Sequence, residues 1–67
     1  MIEGWFARTD ADGQRIALFF ITRDGGEHRW DADHWTLLDG TPIRDRVFWN
    51  DPMTHRVPAP TDVSEPA

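Results

Sequence analysis

The most constraining feature of this sequence is a run of six consecutive apolar residues at positions 16–21, Ile-Ala-Leu-Phe-Phe-Ile. In a β-strand, successive side chains point to opposite faces of the sheet, so Ile16, Leu18 and Phe20 would line one face and the three residues between them the other. A strand that is apolar on both faces is typical of a central position, or of a sheet that is covered on its second side. We therefore expect residues 14–23 to form the strongest strand of the fold.

The chain is small and contains no cysteine, so packing has to stabilise it without disulfide bonds. It has 67 residues, and a domain of about 60 residues buries only ~60% of the surface that its unfolded chain exposes. Four Trp and four Phe supply the large apolar side chains that such a domain needs, and self-association into a homodimer is a second solution. The lack of cysteine also excludes thiolate metal sites and cysteine nucleophiles.

Turn signals divide the first half of the chain into strands in hairpin order. Residues 2–9 and 27–30 have the composition of strands, and Asp-Gly pairs stand before and after the central run at 12–13 and 24–25. Such pairs favour tight turns, because Gly adopts positive φ and Asp bonds its own backbone. Gly4 within the first strand indicates a bulge or a close backbone approach.

The second half of the sequence is more ambiguous. Residues 32–39 have the punctuation of a short helical turn, with Asp31 or Asp33 as the N-cap and Gly40 beyond its end, although a further hairpin arm is the alternative. Residues 43–49 alternate as a last strand would. The predicted fold is an α+β or mostly β domain: a small antiparallel sheet of three to four strands in hairpin order with one short helical turn. We place this domain at residues 1–57 and expect residues 58–67 to be a disordered, Pro-rich, acidic tail.

Charge excludes several classes of function. Twelve acidic residues face seven basic ones, all of them Arg, for a net charge of -5, and the excess lies within residues 24–51. This acidic composition is unlike that of a basic nucleic-acid-binding domain. The longest apolar run is far below the ~20 residues of a membrane span, and the first residues lack the features of a signal peptide. We expect a cytoplasmic protein without a direct membrane or nucleic-acid partner.

One segment carries the residue types of a metal or acid–base site. His28, Asp31, Asp33 and His34 are standard ligand types within seven residues, which makes a small metal- or ligand-binding accessory protein the alternative function. Their spacing matches neither the helical nor the strand pattern of a zinc site, and no nucleophile stands in a recognisable elbow. We therefore predict no enzyme activity, no cofactor and no metal site.

The main hypothesis is a small acidic protein-binding module. Clustered carboxylates with aromatic anchors suit a basic surface on a larger, nucleic-acid-handling protein, whose function the module would inhibit by occlusion. In size and charge the chain is similar to phage and mobile-element inhibitors of the anti-CRISPR and DNA-mimic type, although no residue motif matches a particular family. A dimeric β-module that binds single-stranded nucleic acid through Trp and Arg is a further alternative. The predicted partner-binding residues are Asp31, Asp33, Trp35, Asp39, Asp45 and Trp49.

Overall fold

The computed structural model describes residues 3–38 and 52–66, which form a five-stranded antiparallel sheet. The strands are β1 (Gly4–Thr9), β2 (Arg15–Ile21), β3 (Glu27–Asp31), β4 (His34–Leu38) and β5 (Thr54–Arg56). Their order across the sheet is β4-β3-β2-β1-β5. Within these described ranges there is no helix, and accordingly none with the length and hydropathy that crossing a membrane would require.

The first three strands confirm the antiparallel sheet expected from the sequence. β2 lies at the centre, between β1 and β3, in agreement with its two apolar faces. The β1–β2 and β2–β3 turns fall at the predicted Asp-Gly positions, where Gly13 and Gly25 have φ of 83° and 93°. These values lie in the left-handed region that favours glycine, so turn chemistry and apolar alternation together set the register of this part of the sheet.

The predicted helical turn is wrong: His34–Leu38 is the edge strand β4. A two-residue turn joins it to β3, and Trp30 and Trp35 lie opposite each other across the two strands. Their rings are 5.2 Å apart at an interplanar angle of 66°, a favourable edge-to-face contact. One or two helical turns have little stability of their own, so the cross-strand aromatic pair outweighs the capping signals.

The fifth strand has no counterpart among the sequence predictions, and the candidate strand at residues 43–49 lies outside the described residues. β5 pairs with β1 in antiparallel register, with Phe6 opposite Arg56. The Arg56 guanidinium carbon is 4.7 Å from the centre of the Phe6 ring, the geometry of a cation–π contact. The sheet therefore has more strands than the three to four expected. One reason is that the polar segment Thr54–Arg56 becomes a strand by pairing with β1.

Each face of the sheet carries its own core cluster. One cluster contains Phe6, Phe19 and Ile21, all buried. The other contains Trp5, Ala7, Leu18 and Val63, with partly buried aromatic side chains packed against it. We call the aromatic side chains of this second cluster the aromatic face: they are Trp5, Phe20, Trp30 and Trp35. The six aromatic residues within the described ranges thus lie on both sides of the central strand.

Residues 57–66, which follow β5, form neither helix nor strand, yet they pack on the aromatic face. Val63 is only 9% exposed, the Arg15 guanidinium binds the Asp62 carboxylate at 2.7 Å, and Trp35 Nε1 donates to the Ser64 carbonyl at 2.9 Å. The sequence predicts a disordered tail at residues 58–67, since prolines and acidic residues are typical of exposed chain, and this stays a prediction.

Candidate partner-binding surface

The strand order gathers acidic turns at one end of the sheet. In consecutive antiparallel hairpins, alternate turns lie at the same end, so the β1–β2 and β3–β4 turns are neighbours there and the β2–β3 turn lies at the opposite end. The first turn contributes Asp10 and Asp12, and the second is flanked by Asp31 and contains Asp33. We call these four carboxylates the acidic end.

The β1–β2 turn is organised by one of its own carboxylates. Asp10 Oδ1 accepts hydrogen bonds from the backbone N–H groups of Asp12 and Gln14, both at 2.9 Å. A carboxylate that bonds the backbone two residues on replaces part of the missing ladder and fixes the loop. The neighbouring Asp12 side chain is exposed, so it is presented to solvent on a rigid turn.

The carboxylate of Asp31 is held between two neighbours on the same face of the sheet. The Thr36 hydroxyl donates to Asp31 Oδ2, and Arg29 Nε donates to Oδ1 at 3.1 Å. The hydrogen bond from Thr36, followed by that from Arg29, lowers the pKa of Asp31 below its ordinary value of 3.8. This side chain therefore remains ionised at neutral pH, and its charge is partly balanced by Arg29.

The tip of the β3–β4 turn is strained and exposed. Ala32 has φ of 60°, and the Asp33 N–H donates to the Asp31 carbonyl, which is a γ-turn with a positive φ at its central residue. A non-glycine residue in the left-handed region costs about 1–2 kcal/mol. The Asp33 side chain is 88% exposed and contacts His34 Nδ1 at 2.8 Å. Backbone strain at an exposed acidic tip is a feature that motivates a functional hypothesis.

Trp35 is not a freely projecting anchor. Its ring lies 5.8 Å from that of Trp5, it is half-buried, and its indole N–H is bonded to the Ser64 carbonyl. Of the predicted partner-binding residues, Asp31 and Asp33 therefore lie at the acidic end, whereas Trp35 lies on the aromatic face. The remaining three, Asp39, Asp45 and Trp49, lie outside the described residues.

The residues of the metal hypothesis do not converge. His28 is on the face of β3 opposite to Asp31, and its ring lies edge-on against Trp35 at 6.4 Å. Among residues 3–38 and 52–66, no three His, Asp or Glu side chains form a group able to hold a metal ion. This placement leaves the metal-binding alternative without a geometric basis in this part of the chain.

Two of the three arginines in the first 23 residues, Arg15 and Arg23, lie at opposite ends of the sheet rather than in one stripe for nucleic acid. Arg15 pairs with Asp62 near the acidic end, whereas Arg23 pairs with Glu3 at the opposite end of the sheet, at 3.4 Å. Both charges are compensated by carboxylates. The single-stranded nucleic-acid alternative therefore gains no support from their arrangement.

Sequence reasoning missed two of the four carboxylates at the acidic end. Asp10 and Asp12 were assigned only a turn-forming role, since their proximity to Asp31 and Asp33 depends on the order of strands. The alternation of turns along a predicted hairpin series is the signal that would have found them.

Comparison with protein-family models, with curated proteins and with solved structures finds no match to this chain.

Proposed function

We propose that this chain is a protein-binding module whose acidic end contacts a basic surface on a larger, nucleic-acid-handling protein and blocks that surface. The observation that carries the proposal is the placement of two acidic turns at the same end of the sheet. Clustered charge of one sign produces a local potential much stronger than the net charge alone implies. An inhibitory outcome follows if the covered surface is the one that binds nucleic acid.

The geometry of the acidic end supports recognition. Asp10 and Asp31 are fixed by hydrogen bonds, whereas Asp12 and Asp33 are exposed at the tips of their turns. Fixed carboxylates lose little conformational freedom on binding, which reduces the entropic cost of association. Charge complementarity of this kind raises the association rate and selects the partner more than it raises affinity.

The test compares two variants of equal net charge. Asp12→Asn/Asp33→Asn removes two charges from the acidic end, and Glu3→Gln/Asp24→Asn removes two from the opposite end. Proteins captured by the immobilised wild-type chain at low salt are identified by mass spectrometry, and one is purified and titrated calorimetrically. We expect at least a fivefold loss of affinity for the acidic-end variant and less than twofold for the control.

Occlusion is measured separately, by displacement of a labelled DNA duplex from the purified partner. The wild-type chain should displace the duplex, and the acidic-end variant should need at least fivefold more protein. Equal affinity of both double variants, or a partner that binds the chain and the duplex together, would contradict the proposal. Loss of folding is excluded by comparing the circular dichroism of all three proteins.

A further inference from the structure

The segment after β5, residues 57–66, packs on the sheet with most of its side chains exposed, and we call it the strap. Of its residues, Val63 is the buried one. A segment essential to a core normally buries several side chains. The strap instead resembles a bound peptide. Val57 at its start packs against the second core cluster and its N–H donates to the Trp5 carbonyl at 3.0 Å, and further along one buried apolar residue, Val63, lies between two polar contacts.

Three features of the sheet recognise three consecutive residues of the strap. Arg15 binds the Asp62 carboxylate through both terminal nitrogens, at 2.7 and 3.4 Å. Val63 occupies the cluster of Trp5, Ala7 and Leu18. A bidentate guanidinium selects a carboxylate, and a confined apolar seat selects a small branched side chain.

The third feature is a contact of the sheet with the backbone of the strap. The indole N–H of Trp35 donates to the carbonyl of Ser64 at 2.9 Å, a bond that any residue at this position can accept. The approach to these contacts contains Pro58 and Pro60, and prolines favour an extended chain with little entropy left to lose. Aromatic surfaces that receive extended, proline-containing segments are a recurring mode of peptide recognition.

We propose that the aromatic face is a binding site for an extended peptide of a partner protein, in which a carboxylate residue directly precedes a β-branched residue. The chain's own Asp62-Val63-Ser64 sequence occupies this site in cis. Because a short tether gives the strap an effective concentration in the millimolar range, a peptide in trans competes only when the strap is loosened. This site lies on the aromatic face of the sheet, and its Arg15–Asp62 contact is the part of it that comes near the acidic end.

The first test frees the strap without changing its sequence. A specific protease site is inserted between Ala59 and Pro60, in the irregular segment after β5, where insertions are best tolerated. After cleavage, a labelled synthetic peptide of residues 57–66 is titrated by fluorescence anisotropy. We expect it to bind the cleaved protein at least tenfold more tightly than the uncleaved one. Irreversible unfolding on cleavage, or no difference in binding, would overturn the proposal.

Peptide and protein variants test the recognition of each residue. A Val63→Asp peptide should bind at least tenfold more weakly than the parent peptide. An Asp62→Arg peptide should bind two- to fivefold more weakly than the parent peptide. This range corresponds to about 0.4–1 kcal/mol for an exposed ion pair. An Arg15→Asp protein should restore the affinity for the Asp62→Arg peptide, because the two charges are then exchanged. Equal binding of all three peptides would show that the face has no such specificity.

A second variant avoids the insertion. Asp62→Arg in the full chain loosens the strap at an exposed position, with the Asp62 side chain 60% exposed, so the fold is retained. The parent peptide should then bind two- to fivefold more tightly than it binds the unmodified chain. The variant Glu3→Gln/Asp24→Asn, at the opposite end of the sheet, should leave that affinity unchanged. A concentration-dependent dimer with exchanged straps, and no peptide binding, would make a second copy the occupant and overturn the proposal.

Discussion

Arg56 Nη1 donates a hydrogen bond to the Glu3 carbonyl at 2.6 Å, and it passes over Gly4 so closely that a Cβ there would lie 2.7 Å from it. This is the close backbone approach that a glycine inside β1 indicates. Gly4 also has φ of 117°, a conformation that other residues adopt only with strain. The contact ties the beginning of β1 to the end of β5.

The Gly4→Ala substitution is expected to destabilise the protein by about 1–3 kcal/mol, since it adds backbone strain and displaces the Arg56 side chain. Gly13→Ala is the matched control: its φ is 83°, and an added Cβ would meet no atom within 4 Å. Urea unfolding followed by Trp fluorescence should therefore show a larger loss for Gly4→Ala. A Gly4→Ala protein as stable as Gly13→Ala would contradict this prediction.

The Ala32→Gly substitution is expected to stabilise the protein by up to about 1 kcal/mol. It removes the cost of a left-handed alanine, about 1–2 kcal/mol, and adds the entropy cost of glycine, about 0.5–1 kcal/mol. Ala11→Gly is the control. In the described part of the chain, Ala32 is the non-glycine residue with a positive φ, so Ala11 does not carry this strain. A rise in Tm for Ala32→Gly with a small fall for Ala11→Gly supports the strained turn, whereas a fall in both contradicts it.

The Asp31 carboxylate should make stability depend on pH in the acid range. Its pKa is lowered in the folded protein by Thr36 and then Arg29, so the ionised form stabilises the fold above the ordinary value near 3.8. That contribution is lost as the pH falls through the lower, folded pKa. The pKa of Asp62 is lowered by Arg15 in the same way. Tm measured from pH 6 to pH 2 should fall, and less steeply in Asp31→Asn.

The additivity of these two carboxylates provides the check. Asp31 and Asp62 have different partners, so the double variant Asp31→Asn/Asp62→Asn should flatten the pH profile by the sum of the single effects. A profile in Asp31→Asn that falls as steeply as the wild type would mean that the Thr36 and Arg29 bonds do not distinguish the folded from the unfolded carboxylate.

The indole bond of Trp35 should contribute to stability beyond the packing of its ring. Trp35→Phe keeps an aromatic side chain but removes the donor to Ser64, with an expected cost of about 0.5–1.5 kcal/mol for the hydrogen bond. Trp30→Phe changes a ring of the same cluster whose N–H has no hydrogen bond within the described ranges. Thermal unfolding should show a greater loss at Trp35, and equal losses would assign the effect to ring volume alone.

Much of the sheet is predictable from the sequence because its signals are local. Alternation and Asp-Gly turns identify β1, β2 and β3, which pair with neighbours in the sequence. β4 was assigned to a helical turn because capping residues flank it on both sides, and the Trp30–Trp35 contact that decides its structure is visible only once the register is known. β5 is a short polar segment. It is a strand because it pairs with β1, which lies some fifty residues away in the sequence.

The candidate site was predictable to a similar extent. Asp31 and Asp33 were selected from the charge distribution, whereas Asp10 and Asp12 join them only through strand order. Trp35 is a predicted partner-binding residue and is half-buried. Its hydrogen bond to the strap depends on a tertiary contact that no local pattern contains. The local sequence therefore predicts individual site residues, whereas the strand order determines which of them lie close together.

The strand order also has a kinetic consequence. Strands β1 to β4 are joined by short turns, so their pairings close small loops and can form on the microsecond scale of hairpins. The β1–β5 pairing joins Phe6 to Arg56, and such distant contacts slow folding because the loop entropy is lost before the contact forms. The antiparallel sheet of β1 to β4 should therefore form first. Until β5 pairs with β1, the backbone N–H and C=O groups on that edge of β1 remain unpaired and can pair with another chain.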